Sequence, residues 1–107
     1  MNRIARSQDY VLTAAGGLPG ELNINWLSKG SDSFDLEYGF SCMGYEIAGA
    51  WGAALQLKER GQGGTVFGLT GDGSYLMLNS ELYGAVLNND HLVLVICDNG
   101  EIGRAHV

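Results

Sequence analysis

The stretch Thr65–Thr70 (TVFGLT) is apolar almost throughout and runs without a break into Gly71-Asp72-Gly73. A continuous apolar run closed by a glycine turn predicts a strand covered on both faces. From about Ser74 to Leu87 the pattern predicts one helix, which Asn88-Asn89-Asp90 ends. His91–Cys97 (HLVLVIC) is again near-continuously apolar and predicts the next strand. Two buried strands separated by a helix are joined by a right-handed crossover in a parallel sheet. That unit constrains everything upstream of it.

The first half repeats the pattern. Tyr10–Ala15 (YVLTAA) predicts a buried strand that ends in the turn GGLPGE. Glu21–Lys29, with Pro19 before it, predicts a short helix, and Gly30–Asp35 a polar loop. Met43, Ile47, Ala50, Trp51, Ala54 and Leu55 recur at three- and four-residue spacing, so Met43–Glu59 predicts an amphipathic helix. Lys58 and Arg60 suit its last turn, and Gly61 its C-terminal cap. The expected fold is α/β: a doubly wound parallel sheet with helices on both faces.

Composition narrows the partners. The 107 residues carry a net charge of −6, with only six Lys and Arg scattered along the chain. No basic patch exists to neutralise phosphates, so a nucleic-acid partner is not expected, and no basic stripe points to a membrane surface. The N-terminal MNRIARSQDY has no apolar signal core, and the expected location is cytoplasmic. Cys42 and Cys97 have no CxxC spacing and are expected to be small buried residues of a reducing compartment.

In an open parallel sheet, ligands bind beyond the carboxyl ends of the strands. Three turns fall there: Gly16-Gly17, Gly71-Asp72-Gly73 and Asp98-Asn99-Gly100. The glycines let backbone approach a ligand closely, and peptide N–H groups at a helix start attract phosphate oxygens. Asp72 alone repels a phosphate. A magnesium ion between them removes the conflict, because it takes hard oxygen ligands and commonly bridges carboxylate to phosphate. Asn99, 27 positions on, supplies a second oxygen from the end of the next strand. A Gly-Asp-Gly tripeptide by itself is usually an ordinary turn. The strand before it, the helix after it and the Asn at the next strand end separate this one from that case. Asn88-Asn89 precedes its strand and is expected only to stop a helix.

GDGSYLMLNSELYGAVLNNDHLVLVICDN resembles the signature of thiamine-diphosphate-dependent enzymes, which begins with GDG and ends with NN. Here the final pair is Asp98-Asn99, a departure at its first position. The resemblance implies thiamine diphosphate and Mg2+ as cofactors, with the metal on Asp72, Asn99 and the backbone carbonyl of Glu101. It implies that Gly71, Gly73 and Ser74 touch the diphosphate. FSCMGYEIAGAWGAAL is similar to the segment that enters the helix beneath the aminopyrimidine. By that resemblance the backbones of Ser41 and Met43 hold the pyrimidine, and the Met43 side chain bends the cofactor into its V shape. Together with LTAAGGLPGELN, these segments resemble the branch of the family that hydrolyses a carbon–carbon bond of a cyclic 1,2-diketone in myo-inositol catabolism. The implied partners are that small-molecule substrate and further copies of the chain, in a homodimer or homotetramer.

The resemblance also says what to expect elsewhere. The glutamate that activates the cofactor belongs to another domain, contributed by a partner subunit, so no catalytic residue is assigned within this chain. Glu37 and Glu46 are expected to be solvated or cap-like. After Gly100 the likeness ends, and Ile102–Val107 (IGRAHV) matches one translated frame of a common sequencing-library adapter. The expected division is a partial diphosphate-binding domain over residues 1–100 and a non-native tail over 101–107, in which Arg104 and His106 carry no function. Such a piece is expected to be inactive alone. Two other functions fit parts of the pattern. One is a sister carboligase or decarboxylase, resembling acetolactate synthase. The other is a non-catalytic phosphate- or nucleotide-binding α/β module, which would need neither the Met43 segment nor Asn99.

Overall fold

In the computed structural model, residues 1, 3–102 and 105–106 are described. Gly103, Arg104 and Val107, in the expected tail, lie outside the described residues. Four strands form one parallel sheet in the order β2-β1-β3-β4: β1 is Tyr10–Thr13, β2 Phe34–Leu36, β3 Val66–Gly71 and β4 Val93–Cys97. The helices between them are α1 (Gly17–Asn25), α2 (Tyr45–Glu59), α3 (Asp72–Met77) and α4 (Ser80–Leu87). A short antiparallel pair, β5 (Glu101–Ile102) with β6 (Ala105–His106), follows β4.

The chain steps from β1 outward to β2, then returns across β1 to β3 and β4. Right-handed crossovers put α1 on one face and α2, α3 and α4 on the other. The expected doubly wound arrangement is therefore present, and its switch point lies between β1 and β3. Val11, Leu12, Val66 and Leu69 are buried in the sheet. Ala50 and Ala54 of α2 pack against Val66, with Tyr10, Ala53, Leu57 and Leu92 around them. Gly68 allows this approach: a Cβ there would stand 3.1 Å from Ala50 Cβ and 3.2 Å from the Glu46 carbonyl oxygen. Gly84 of α4 does the same for α2, since its Cβ would meet the Trp51 ring at 2.8 Å.

The amino end of the sheet is fastened by Asp9. It accepts the Arg6 N–H at 2.8 Å, the Arg6 guanidinium at 3.2 Å and the Thr65 N–H at 2.9 Å. Burial pushes this carboxyl upward, but the Arg6 and Thr65 bonds outweigh it and hold it below its ordinary value.

Four expectations need correction. α1 spans Gly17–Asn25, not Glu21–Lys29, because Pro19 sits in its first turn, where a missing N–H costs nothing. It ends where Trp26 turns away to stack on Phe34, ring centroids 6.0 Å apart. Phe34 and Asp35, expected in a loop, instead begin β2, which pairs in register with Val11–Thr13. Tertiary pairing overrides the polar local sequence here. The single helix expected over 74–87 is two, broken at Leu78 and Asn79, where Leu78 packs against Gly44. Both cysteines are exposed, not buried. Cys97 sits at the tip of β4 and Cys42 on the loop before α2. Gly61 (φ +63°) and Asn88-Asn89 end their helices as expected.

Candidate functional site

The carboxyl ends of β1, β3 and β4 surround one cavity of about 350 Å³. Gly16, Gly17 and Leu18 line it from β1 and α1, Gly71 and Ser74 from β3 and α3, and Cys97, Asp98 and Asn99 from β4. Met43 reaches it from the loop before α2. All three turns singled out in the sequence therefore meet at one edge, beside the switch point of the sheet.

Asp72 opens α3 directly after β3, half-buried at the rim. Its Oδ1 accepts the Asn99 backbone N–H at 3.5 Å, so the two residues are joined across the 27 positions that separate them. Asn99 is itself held by its neighbour: its Oδ1 accepts the Glu101 N–H at 3.1 Å, and its Nδ2 donates to Glu101 Oε2 at 3.0 Å. Asp98 accepts the Gly100 N–H at 3.2 Å, and Gly100 takes φ +67°. These bonds build a tight turn in which Asn99 Oδ1 keeps a free lone pair. The Glu101 carbonyl lies against Gly73, where an added Cβ would stand only 2.7 Å from its oxygen. A carboxylate, a side-chain amide oxygen and a peptide carbonyl are thus grouped about one turn. All are hard oxygen donors of the kind a magnesium ion takes. Among the described residues no group of three or more His, Cys, Asp and Glu side chains is placed to hold a metal. A Cβ at Gly17 or Gly71 would meet no described residue within 4 Å, and both glycines line the cavity. The site fits a diphosphate with its divalent ion.

Ser41 and Met43 lie on the loop entering α2. Ser41 is exposed with φ +53°, and Met43 is half-buried. Glu37 braces this loop: its carboxylate accepts the Cys42 N–H at 3.1 Å and the Phe40 N–H at 3.2 Å. Those bonds, that from Cys42 foremost, hold the Glu37 carboxyl below its ordinary value. The cap-like expectation describes Glu37 correctly. Desolvation, then the neighbouring Glu37 carboxylate, pushes the Cys42 thiol up, which leaves little thiolate for nucleophilic work.

Glu46 meets the cap-like expectation, accepting the Gly44 N–H at the start of its own helix at 2.9 Å, but it is wholly buried and not solvated. Its Oε2 also accepts the Ser74 hydroxyl at 2.8 Å. The Ser74 side chain is thereby turned toward Glu46, while the residue also lines the cavity. The sequence contained a signal for this: Glu46 falls three residues after Met43 and four before Ala50, on the apolar stripe of α2.

Residues 16–105 match the family described as the thiamine pyrophosphate enzyme, C-terminal TPP binding domain. The chain belongs to that family. The match continues five residues past Gly100, where the sequence alone shows no likeness. Its relatives include 3D-(3,5/4)-trihydroxycyclohexane-1,2-dione hydrolase 2 of Bacillus cereus, 40% identical over 103 residues. A hydrolase of the same description from Geobacillus thermodenitrificans is 37% identical. Each alignment covers 96% of this chain but only 15% and 16% of those proteins. An X-ray structure of a Mycobacterium smegmatis protein, assigned to the thiamin diphosphate-dependent enzymes, superposes with a TM-score of 0.78 at 24% identity. It covers 94% of this chain and 19% of that one, and at this identity it speaks for the fold. Among the described residues, no helix is long and apolar enough to cross a membrane.

Proposed function

We propose that this chain is the diphosphate- and magnesium-binding part of a thiamine-diphosphate-dependent hydrolase that opens the ring of trihydroxycyclohexane-1,2-dione by C–C bond hydrolysis. The observation that carries the cofactor half is the meeting of Gly16-Gly17, Gly71 and Asp98-Asn99 around one cavity at the switch point, with Asp72 joined to that cavity through the Asn99 N–H. The substrate half rests on the two hydrolases aligned along 96% of the chain.

In this reading Asp72, Asn99 and the Glu101 carbonyl hold Mg2+, which neutralises the charge that would otherwise set Asp72 against the diphosphate. Backbone N–H groups at Gly71, Gly73 and Ser74 meet the phosphate oxygens, the absence of a side chain at Gly71 permits the approach, and that at Gly73 makes room for the Glu101 carbonyl. The Ser41 and Met43 backbones hold the aminopyrimidine, and the Met43 side chain supports its bent shape. When bound, thiamine diphosphate supplies a carbanion nucleophile and an electron sink for C–C cleavage. The residues of this chain bind and orient it. The activating glutamate comes from another domain of a partner subunit, in a homodimer or homotetramer.

The test is turnover by the intact protein supplied with thiamine diphosphate, Mg2+ and the cyclic dione. Ring-opened 5-deoxy-glucuronate should form, and should cease when either cofactor is removed. Conversion of pyruvate to acetolactate, with no action on the dione, would make the protein a sister carboligase and refute the substrate assignment.

A further inference from the structure

The hydrogen bonds of Glu46 form a closed ring that the functions above leave unused. The Gly44 N–H points at both Ser74 Oγ (2.7 Å) and Glu46 Oε2 (2.9 Å), and the Ser74 hydroxyl donates to the same Glu46 oxygen at 2.8 Å. Glu46 is 0% and Ser74 2% exposed, so no solvent competes for these bonds. The other carboxylate oxygen, Oε1, is buried with no hydrogen-bond partner among the described residues. A carboxyl group is costly to bury, and a hydrophobic residue would pack at lower cost. Its retention on an apolar stripe points to what its bonds position.

The ring ties together two segments 30 residues apart. Gly44 follows Met43, and Ser74 follows Asp72 by two positions. A second contact closes the clamp from the other side. Gly44 has φ +93°, and a Cβ there would fall 2.6 Å from Leu78 Cδ1 and 2.9 Å from Leu78 Cβ. The loop bearing Met43 is thus gripped between Ser74 and Leu78, both just downstream of Asp72.

We infer that Glu46 and Ser74 are positioning residues: their buried ring fixes the Met43 loop relative to the Asp72 turn and so sets the spacing between the two halves of the cofactor site. The inference rests on the thiamine-diphosphate reading of that site. It assigns the Ser74 hydroxyl to the ring, not to the diphosphate, and it assigns Glu46 an acceptor role in which charge is unimportant. Gln satisfies the same role, since its amide oxygen can take both bonds and its NH2 the place of Oε1.

The experiment measures the dissociation constant of thiamine diphosphate at saturating Mg2+ for the intact protein and for Ser74→Ala, Glu46→Leu and the double variant. Residues that orient ligand-bearing groups typically cost about 10- to 100-fold when removed, so each single change should weaken binding by about 10-fold. The double variant should be no weaker than the worse single, because both changes open one ring. At saturating cofactor, the near-ultraviolet circular dichroism of the bound aminopyrimidine should also be altered in Ser74→Ala. Effects that multiply to about 100-fold would place the hydroxyl on the diphosphate and overturn the inference. Single variants within about twofold of the parent would overturn it too. Should Glu46→Leu not fold, Glu46→Gln decides: binding within about twofold supports the inference, and a loss of about 10-fold or more makes the charge the actor and refutes it. If the parent protein binds no thiamine diphosphate, the functional reading fails and takes this inference with it. If the parent binds and the variants are unaffected, the inference alone fails.

Discussion

Replacing Gly68 by alanine tests how closely α2 is seated on the sheet, and the structure sets the size of the effect. The new methyl would stand 2.8 Å from Leu94 Cδ2, 3.1 Å from Ala50 Cβ and 3.2 Å from the Glu46 carbonyl oxygen. Optimal carbon contacts lie at about 3.5–4.0 Å. Leu94 can rotate away, but the other two atoms belong to a helix and move only if α2 rises from β3. Overpacking of this kind costs about 1–3 kcal/mol. Loss of unfolded-state freedom on replacing Gly returns about 0.4–1 kcal/mol. The net expectation is a destabilisation of about 0.5–2 kcal/mol, read from the midpoint of urea unfolding followed by far-ultraviolet circular dichroism. Gly52→Ala is the matched control: it lies in α2 itself, exposed, with no described residue outside its own helix backbone within 4 Å of its Cβ. That change should stabilise by up to about 1 kcal/mol. If Gly68→Ala is as stable as the parent while Gly52→Ala behaves as stated, α2 is not in the contact described. Because α2 also carries Glu46, Gly68→Ala should weaken cofactor binding as well, whereas Gly52→Ala should not.

Asp9→Asn places an NH2 opposite one of the N–H donors of Arg6 or Thr65, and should cost about 1–3 kcal/mol of stability in chemical denaturation. The Asp9 carboxyl is depressed from 3.8, so its contribution is fully present above about pH 4 and is lost as pH falls through the depressed value. The variant should therefore flatten the acid limb of stability against pH, and an unchanged limb would assign that limb to other groups. Asp90 is held below its ordinary value first by Lys58 Nζ at 2.7 Å and then by the Trp51 indole N–H at 2.9 Å. In NMR titration, Lys58→Met should raise the Asp90 value more than Trp51→Phe does, and the reverse order would show the ranking of the two bonds to be wrong.

Much of this architecture is legible in the sequence because it depends on local apolar runs. TVFGLT and HLVLVIC are apolar enough to mark two strands of a parallel sheet, although the second forms the edge strand and is half-buried to exposed, and the crossover rule then places their ends at one edge. That alone brings Asp72 and Asn99 together. Three features are not legible, each for a tertiary reason. β2 is three residues in a polar stretch, and pairing with β1 is what makes it a strand. The break between α3 and α4 has no Gly or Pro to mark it and follows from Leu78 packing on Gly44. The inward turn of Ser74 requires a buried carboxylate on α2, and a Glu near a helix start reads by default as a solvated cap.

The central claim is that Asp72 and Asn99 form a magnesium clamp for a diphosphate. It is tested most directly by calorimetric titration of thiamine diphosphate into the intact protein, with and without Mg2+, for the parent and for Asp72→Ala. Binding should require the metal, and removal of Asp72 should weaken it by at least about 100-fold, at the upper end of what removing a supporting group costs. Equal affinity without the metal, or an Asp72→Ala protein that binds as tightly as its parent, would contradict it.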